Sequence, residues 1–77
     1  MDYAQVEAKL IETIHTALGW ENVTPQLGFL KDLHAKSIDI FKLAMFLEKE
    51  YGKKIPIADL MASVTVGDMA QAILNNL

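Results

Sequence analysis

The stretch "HAKSIDIFKLAMFLEKEYG", His34 to Gly52, changes character at its serine. Beyond Ser37 the apolar residues Ile40, Phe41, Ala44, Leu47 and Tyr51 fall at helical spacing, with Met45 and Phe46 widening the apolar surface. Gly52 then supplies the left-handed conformation that commonly ends a helix. The pattern predicts a helix from Ser37 or Ile38 to Tyr51, with Lys49, Lys53 and Lys54 near its C-terminal end, where the dipole favours cations. Ser37 thus sits at the helix start, where two roles are open to it. As an N-cap its oxygen would accept a backbone N–H and contribute about 1 kcal/mol. A phosphate esterified there would instead meet free N–H groups and the positive end of the dipole. Spacing alone favours the cap.

Upstream, "DYAQVEAKLIETIHTALG" carries Tyr3, Val6, Leu10, Ile14 and Leu18 on one helical face. Asp2 and Gln5 form a capping-box pattern at its start, and Gly19 suits its end. From Trp20 to Lys36 the periodicity weakens, and Thr24-Pro25 and Gly28 mark turns. So long a loop is uncommon in a compact domain. Trp20, Val23, Leu27, Phe29, Leu30 and Leu33 are expected to pin it to the core.

Downstream, Ile55-Pro56-Ile57 reads as an extended step, followed by a short helical turn around Ala58 to Met61. Thr65 and Asp68 then open a last helix that puts Val66, Met69, Ala70 and Ile73 on one face. The expectation is an all-α fold: a small four-helix bundle of three longer helices and one short, forming a single domain over residues 1–77.

Composition narrows the chemistry. With 77 residues and no cysteine, cohesion rests on apolar packing, which the 52% hydrophobic content can supply. No protein thiol is present to act as nucleophile or redox centre. The net charge is −3, and the positive side chains are all lysine, so nucleic acid is not an expected partner. No apolar run is long enough for a membrane span, and the N-terminus lacks the features of a secretory signal. A cytoplasmic, monomeric protein is expected. His34, three residues before Ser37, makes a poor catalytic base without an orienting partner, and His34 and His15 lack ligand spacing for a metal. No catalytic residue or metal site is expected.

The run "VTPQLGFLKDLHAKSIDIFKLAMFLEKEYGKKIPIADL" resembles the acyl carrier protein family, whose members carry D-S-L or a related tripeptide at the start of the second helix. The similarity extends over nearly the whole chain: the L-G that ends the first helix, "FLKDL" before the serine, "EKEYG", the I-P step and "TVGD". Each motif is weak alone, but their order and spacing together are fairly specific. The resemblance implies that Ser37 is the attachment point for 4'-phosphopantetheine, an arm derived from coenzyme A that ends in the thiol this chain lacks. It further implies a carrier, not an enzyme. Acyl or related groups would travel as thioesters between enzymes of fatty-acid, polyketide or other specialised biosynthesis. The implied partners are a phosphopantetheinyl transferase and acyl-loading and acyl-processing enzymes.

Departures from the family pattern lie beside the serine. Lys36 stands where many members have aspartate, His34 where they usually have glycine, and Ile38 replaces a common leucine. Lys36, Lys42 and Lys49 balance Asp39, Glu48 and Glu50, whereas fatty-acid carriers typically show an acidic helix. This near-neutrality suggests a specialised carrier. Lys36, Ile38, Asp39, Lys42, Met45 and Glu48 are the candidate docking residues, and Phe41, Met45, Leu60 and Met61 the candidate acyl-pocket residues. The rival reading is an unmodified helical interaction module that uses the same helix to bind a partner protein.

Overall fold

The computed structural model describes residues 2–77. Four helices follow one another: α1 (Tyr3–Leu18), α2 (Ser37–Tyr51), α3 (Ile57–Met61) and α4 (Val66–Asn75). Among the described residues there is no strand, only an isolated antiparallel bridge between Gly28 and Thr65. The fold is the small all-α bundle that the periodicity predicts.

Two of the helices begin with complete capping boxes. Asp2 Oδ1 accepts the Gln5 N–H at 2.9 Å while Gln5 Oε1 accepts the Asp2 N–H at 3.1 Å. At α4, Thr65 Oγ1 accepts the Asp68 N–H at 3.0 Å and the Asp68 carboxylate accepts the Thr65 N–H at 3.1 Å. Each box satisfies two donors that a helix start would otherwise leave unpaired. Gly19, at a φ of 73°, ends α1 with its N–H on the His15 carbonyl.

Val6, Leu10 and Ile14 of α1 and Val66, Met69, Ala70 and Ile73 of α4 are fully buried. α1 packs on α4 and on α2, and α3 bridges α2 and α4. From α2 the core receives Ile40, Leu43, Ala44 and Leu47. The helical spacing in the sequence places Phe41 on that face without Leu43, and the structure reverses the two. A helix advances about 100° per residue, so Leu43 lies roughly 60° to one side of Ile40, next to Leu47, while Phe41 lies about 100° to the other side, toward solvent. Phe41 is 47% exposed.

The connection from Gly19 to Lys36 is tied down by backbone hydrogen bonds to the first turn of α4 and the residues just before it. Phe29 N–H donates to Val64 O at 3.0 Å, and Val66 and Gly67 N–H donate to Leu27 O and Pro25 O, each at 2.9 Å. Phe29 is buried, and Trp20, Val23, Leu27 and Leu33 pack partly buried against the core. Leu30 does not join them: it is 78% exposed. Its backbone lies in the turn that Asp32 closes, its Oδ2 accepting the Gly28 N–H at 2.7 Å, and only Phe29 of the adjacent pair faces inward.

Candidate functional site

At the start of α2 the N-cap is Lys36, not Ser37. The Lys36 backbone is extended (φ −104°, ψ 166°), and its carbonyl accepts the N–H groups of Asp39 and Ile40 at 2.9 and 3.2 Å. Those bonds define the first turn, so Ser37 is already inside the helix. The capping role is therefore corrected: the cap is the extended residue that precedes the helix, which here is Lys36, and Ser37 lies one position past it. Asp39 Oδ2 accepts the Lys36 N–H at 2.9 Å, but an ammonium group has no lone pair with which to return the bond. The box is half made.

Two consequences follow for Ser37. Its side chain is exposed, and among the described residues its hydroxyl makes no hydrogen bond. Among the described residues the amides of Ser37 and Ile38 also lack acceptors, as first-turn amides do when no cap reaches them, and they add to the positive end of the helix dipole. A hydroxyl so placed is chemically suited to bearing a phosphate ester.

The segment before the helix is held in place by Ala35, which is buried and donates its N–H to Phe29 O at 2.8 Å. His34, just before it, takes a left-handed backbone with φ of 54°. This is the kind of turn that glycine makes without steric cost.

Beside Ser37 opens a cavity of about 230 Å³ lined by Phe29, Leu30, Ala35, Lys36, Ser37, Ile40, Leu60, Met61 and Ser63. Leu60 is buried at its wall, and half-exposed Met61 contributes from the solvent side. Of the four residues expected to line a pocket, these two do so. Phe41 and Met45 do not. Both lie outside this cavity and project to solvent, and Met45 instead shares a shallow surface depression with Phe46 and Lys49. Phe29, Leu30 and Ser63 are not evident from the sequence as lining residues, since only tertiary packing brings them to α2, and Ala35, next to the cap, carries no local sign of facing a cavity. Ile40 was legible as a core residue, but its position at the cavity was not.

The expected docking residues share α2 and its cap but differ in freedom. Ile38 and Met45 are 62% and 58% exposed, and Lys36 and Lys42 are exposed as well. Asp39 and Glu48 are half-buried, with Glu48 Oε2 accepting the Ile55 N–H at 3.4 Å. Among the described residues no cluster of histidine and acidic side chains is arranged to hold a metal ion.

The profile of the family described as "Phosphopantetheine attachment site" matches residues 8–73. An acyl carrier protein from Helicobacter pylori is 34% identical over 74 residues, covering 96% of this chain and 92% of its own length. One from Syntrophobacter fumaroxidans is 32% identical over 78 residues, covering 99% of this chain and 96% of its own. This chain belongs to the acyl carrier protein family. It is a carrier and not a catalyst, and the prosthetic group of its family is 4'-phosphopantetheine. The first turn of α2 fits such a group, because it joins an unbonded hydroxyl, unpaired amides and an adjacent apolar cavity. No helix among the described residues is long and apolar enough to cross a membrane.

Proposed function

We propose that Ser37 bears the 4'-phosphopantetheine arm and that the chain, a single carrier domain over residues 1–77, delivers thioester-bound acyl intermediates to enzymes of fatty-acid, polyketide or other specialised biosynthesis. The observation that carries this reading is the exposed, internally unbonded Ser37 hydroxyl at the first turn of α2, beside an apolar cavity. When bound, the arm supplies the thiol that forms the thioester. This chain's residues do the rest. Ser37 oxygen is the nucleophile that a transferase engages, forming the new P–O bond as the nucleotide half of coenzyme A leaves and the hydroxyl proton passes to the transferase. The unpaired Ser37 and Ile38 amides would favour the negative charge of a phosphodiester carried on that oxygen.

The cavity bounds what can be sheltered. Its volume of about 230 Å³ lies below the roughly 300–1,000 Å³ of a site for a drug-sized ligand, so it has room for a short apolar segment of cargo beside Leu60 and Met61. Lys36, Ile38, Asp39, Lys42, Met45 and Glu48 form the docking region. Phe41 belongs with that outer surface. The carrier works as a cytoplasmic monomer with a phosphopantetheinyl transferase and acyl-loading and acyl-processing enzymes as partners.

Intact-mass measurement after incubation with coenzyme A and a broad-specificity phosphopantetheinyl transferase tests the reading. A single pantetheine-sized gain is expected, and none for Ser37→Ala, whose helicity by circular dichroism should match the parent. Absence of any gain with several transferases would favour the unmodified interaction module.

A further inference from the structure

By formal charge α2 and its cap are neutral, with Lys36, Lys42 and Lys49 set against Asp39, Glu48 and Glu50. In the fold the two signs are not equivalent. Every carboxylate is turned to a flank and engaged within the chain. Asp39 accepts the Lys36 N–H at 2.9 Å, Glu48 accepts the Ile55 N–H at 3.4 Å, and Glu50 pairs with Lys9 Nζ at 2.8 Å. The three lysines are exposed, and among the described residues none of them has a carboxylate partner.

Position on the helix sharpens the asymmetry. Ile38, Lys42, Met45 and Lys49 recur three or four residues apart, so they stack in one row, and that row lies opposite the buried row of Leu43 and Leu47. Ile38 and Met45 are among the large apolar side chains left open to solvent. The outward row therefore alternates apolar and cationic groups and contains no acid.

We infer that this outer row of α2 docks a partner protein whose matching face sets carboxylates around an apolar socket. The inference rests on the carrier reading above, which brings partner enzymes to α2, and adds the charge they must carry. Ile38 and Met45 supply desolvated contact area, while Lys42 and Lys49 govern encounter and exclude partners of like charge. A partner protein can place acids opposite two lysines alone. An anionic lipid surface would also meet the rest of a chain whose net charge is −3. Two copies meeting row to row would oppose lysine with lysine.

The test uses the unmodified, ¹⁵N-labelled chain, so it does not depend on loading of the arm. It is titrated with a ketosynthase whose carrier-docking face is basic, and with the same enzyme after the lysines and arginines of that face are changed to glutamate. The acid-faced enzyme is expected to bind about tenfold or more tightly than its parent, with amide shifts centred on Ile38, Lys42, Met45 and Lys49. The preference should reverse in Lys42→Glu/Lys49→Glu and fade in high salt. Equal or tighter binding of the basic enzyme, binding of neither, or shifts centred elsewhere would overturn the inference. So would the same shifts produced by phosphatidylglycerol vesicles alone, or by raising the concentration of the chain alone. A chain that shows the acidic preference but never gains pantetheine mass keeps this surface and loses the carrier function; the opposite result loses the surface alone.

Discussion

Thr65 and Lys36 occupy the same position at the starts of α4 and α2, with nearly the same extended backbone (φ −111° and −104°) and an aspartate three residues on that bonds back to the cap N–H. They differ in one capacity: the threonine hydroxyl can accept a hydrogen bond and the lysine ammonium cannot. At α4 the turn is closed, and the face behind it, from Val66 to Ile73, is sealed against α1. At α2 the turn is left half open, with a free hydroxyl, unpaired amides and a cavity beside them. A local deficit of stability at α2 is therefore a local surplus of polar groups available to something else. The α1–α4 pair makes that deficit tolerable.

The largest test of this contrast is in the core. Leu10→Ala removes a fully buried side chain between α1 and its neighbours and is expected to cost about 2–5 kcal/mol. Small domains hold only roughly 5–15 kcal/mol in total, so the urea midpoint should fall steeply or the fold should be lost. Ile38→Ala, on the outer row of α2, should stay within about 0.5 kcal/mol of the parent in the same melts. Comparable losses at both positions would mean that α2's outer face is not free.

The next contrast is between the two helix starts themselves. Thr65→Ala deletes a made cap and should cost about 1 kcal/mol, within a range of roughly 0.5–2. Ser37→Ala deletes a hydroxyl that bonds to nothing among the described residues and should leave the melting curve nearly unmoved. A stability loss at Ser37 as large as at Thr65 would restore the capping role that the geometry denies it.

What could be read from the sequence divides along the same line. Asp2–Gln5 and Thr65–Asp68 were legible because capping boxes are local, and the buried faces of α1 and α4 were legible because periodicity reports a face directly. At α2 both kinds of signal blurred. Serine is so favoured as a cap that it masks Lys36, an unfavoured one, at the position before it. Nine apolar residues within Ile38–Tyr51 make the helix apolar on more than one side, so Phe41 could not be told from Leu43 by spacing. The cavity was the least legible feature, because Phe29 and Ser63 reach it from segments far apart in sequence. The resemblance to the carrier family singled out Ser37 where periodicity favoured a cap, but it could not show that the acids of α2 are internally engaged while its lysines are not.

A smaller effect is expected just before the half-open turn. His34 has a left-handed backbone, which costs a residue bearing a Cβ roughly 1–2 kcal/mol, while glycine there would lose about 0.5–1 kcal/mol of chain entropy on folding. His34→Gly should therefore raise stability by up to about 1 kcal/mol, seen as a higher thermal midpoint with α2 helicity unchanged. A loss of stability would mean that the imidazole makes a compensating contact in the Ala35–Lys36 turn.

The smallest effect belongs to Tyr51, at the opposite end of α2, whose buried hydroxyl finds no hydrogen-bond partner among the described residues. Burial pushes its phenol pKa above the ordinary value, despite the opposing pull of Lys9. The direction sets the pH dependence. As pH rises past about 10, unfolded tyrosine ionises while Tyr51 in the fold still holds its proton, so stability present below that pH is lost through the alkaline range. Lys9, raised chiefly by its bond to Glu50, titrates in the same sense. Tyr51→Phe removes the orphaned hydroxyl together with one of these alkaline contributions. It should be neutral or stabilising by less than about 1 kcal/mol at pH 7, with a shallower decline above pH 10 in denaturant melts. A marked loss at pH 7 would show that the hydroxyl is satisfied after all, and that α2 is as closed at its C-terminal end as α4 is at its start.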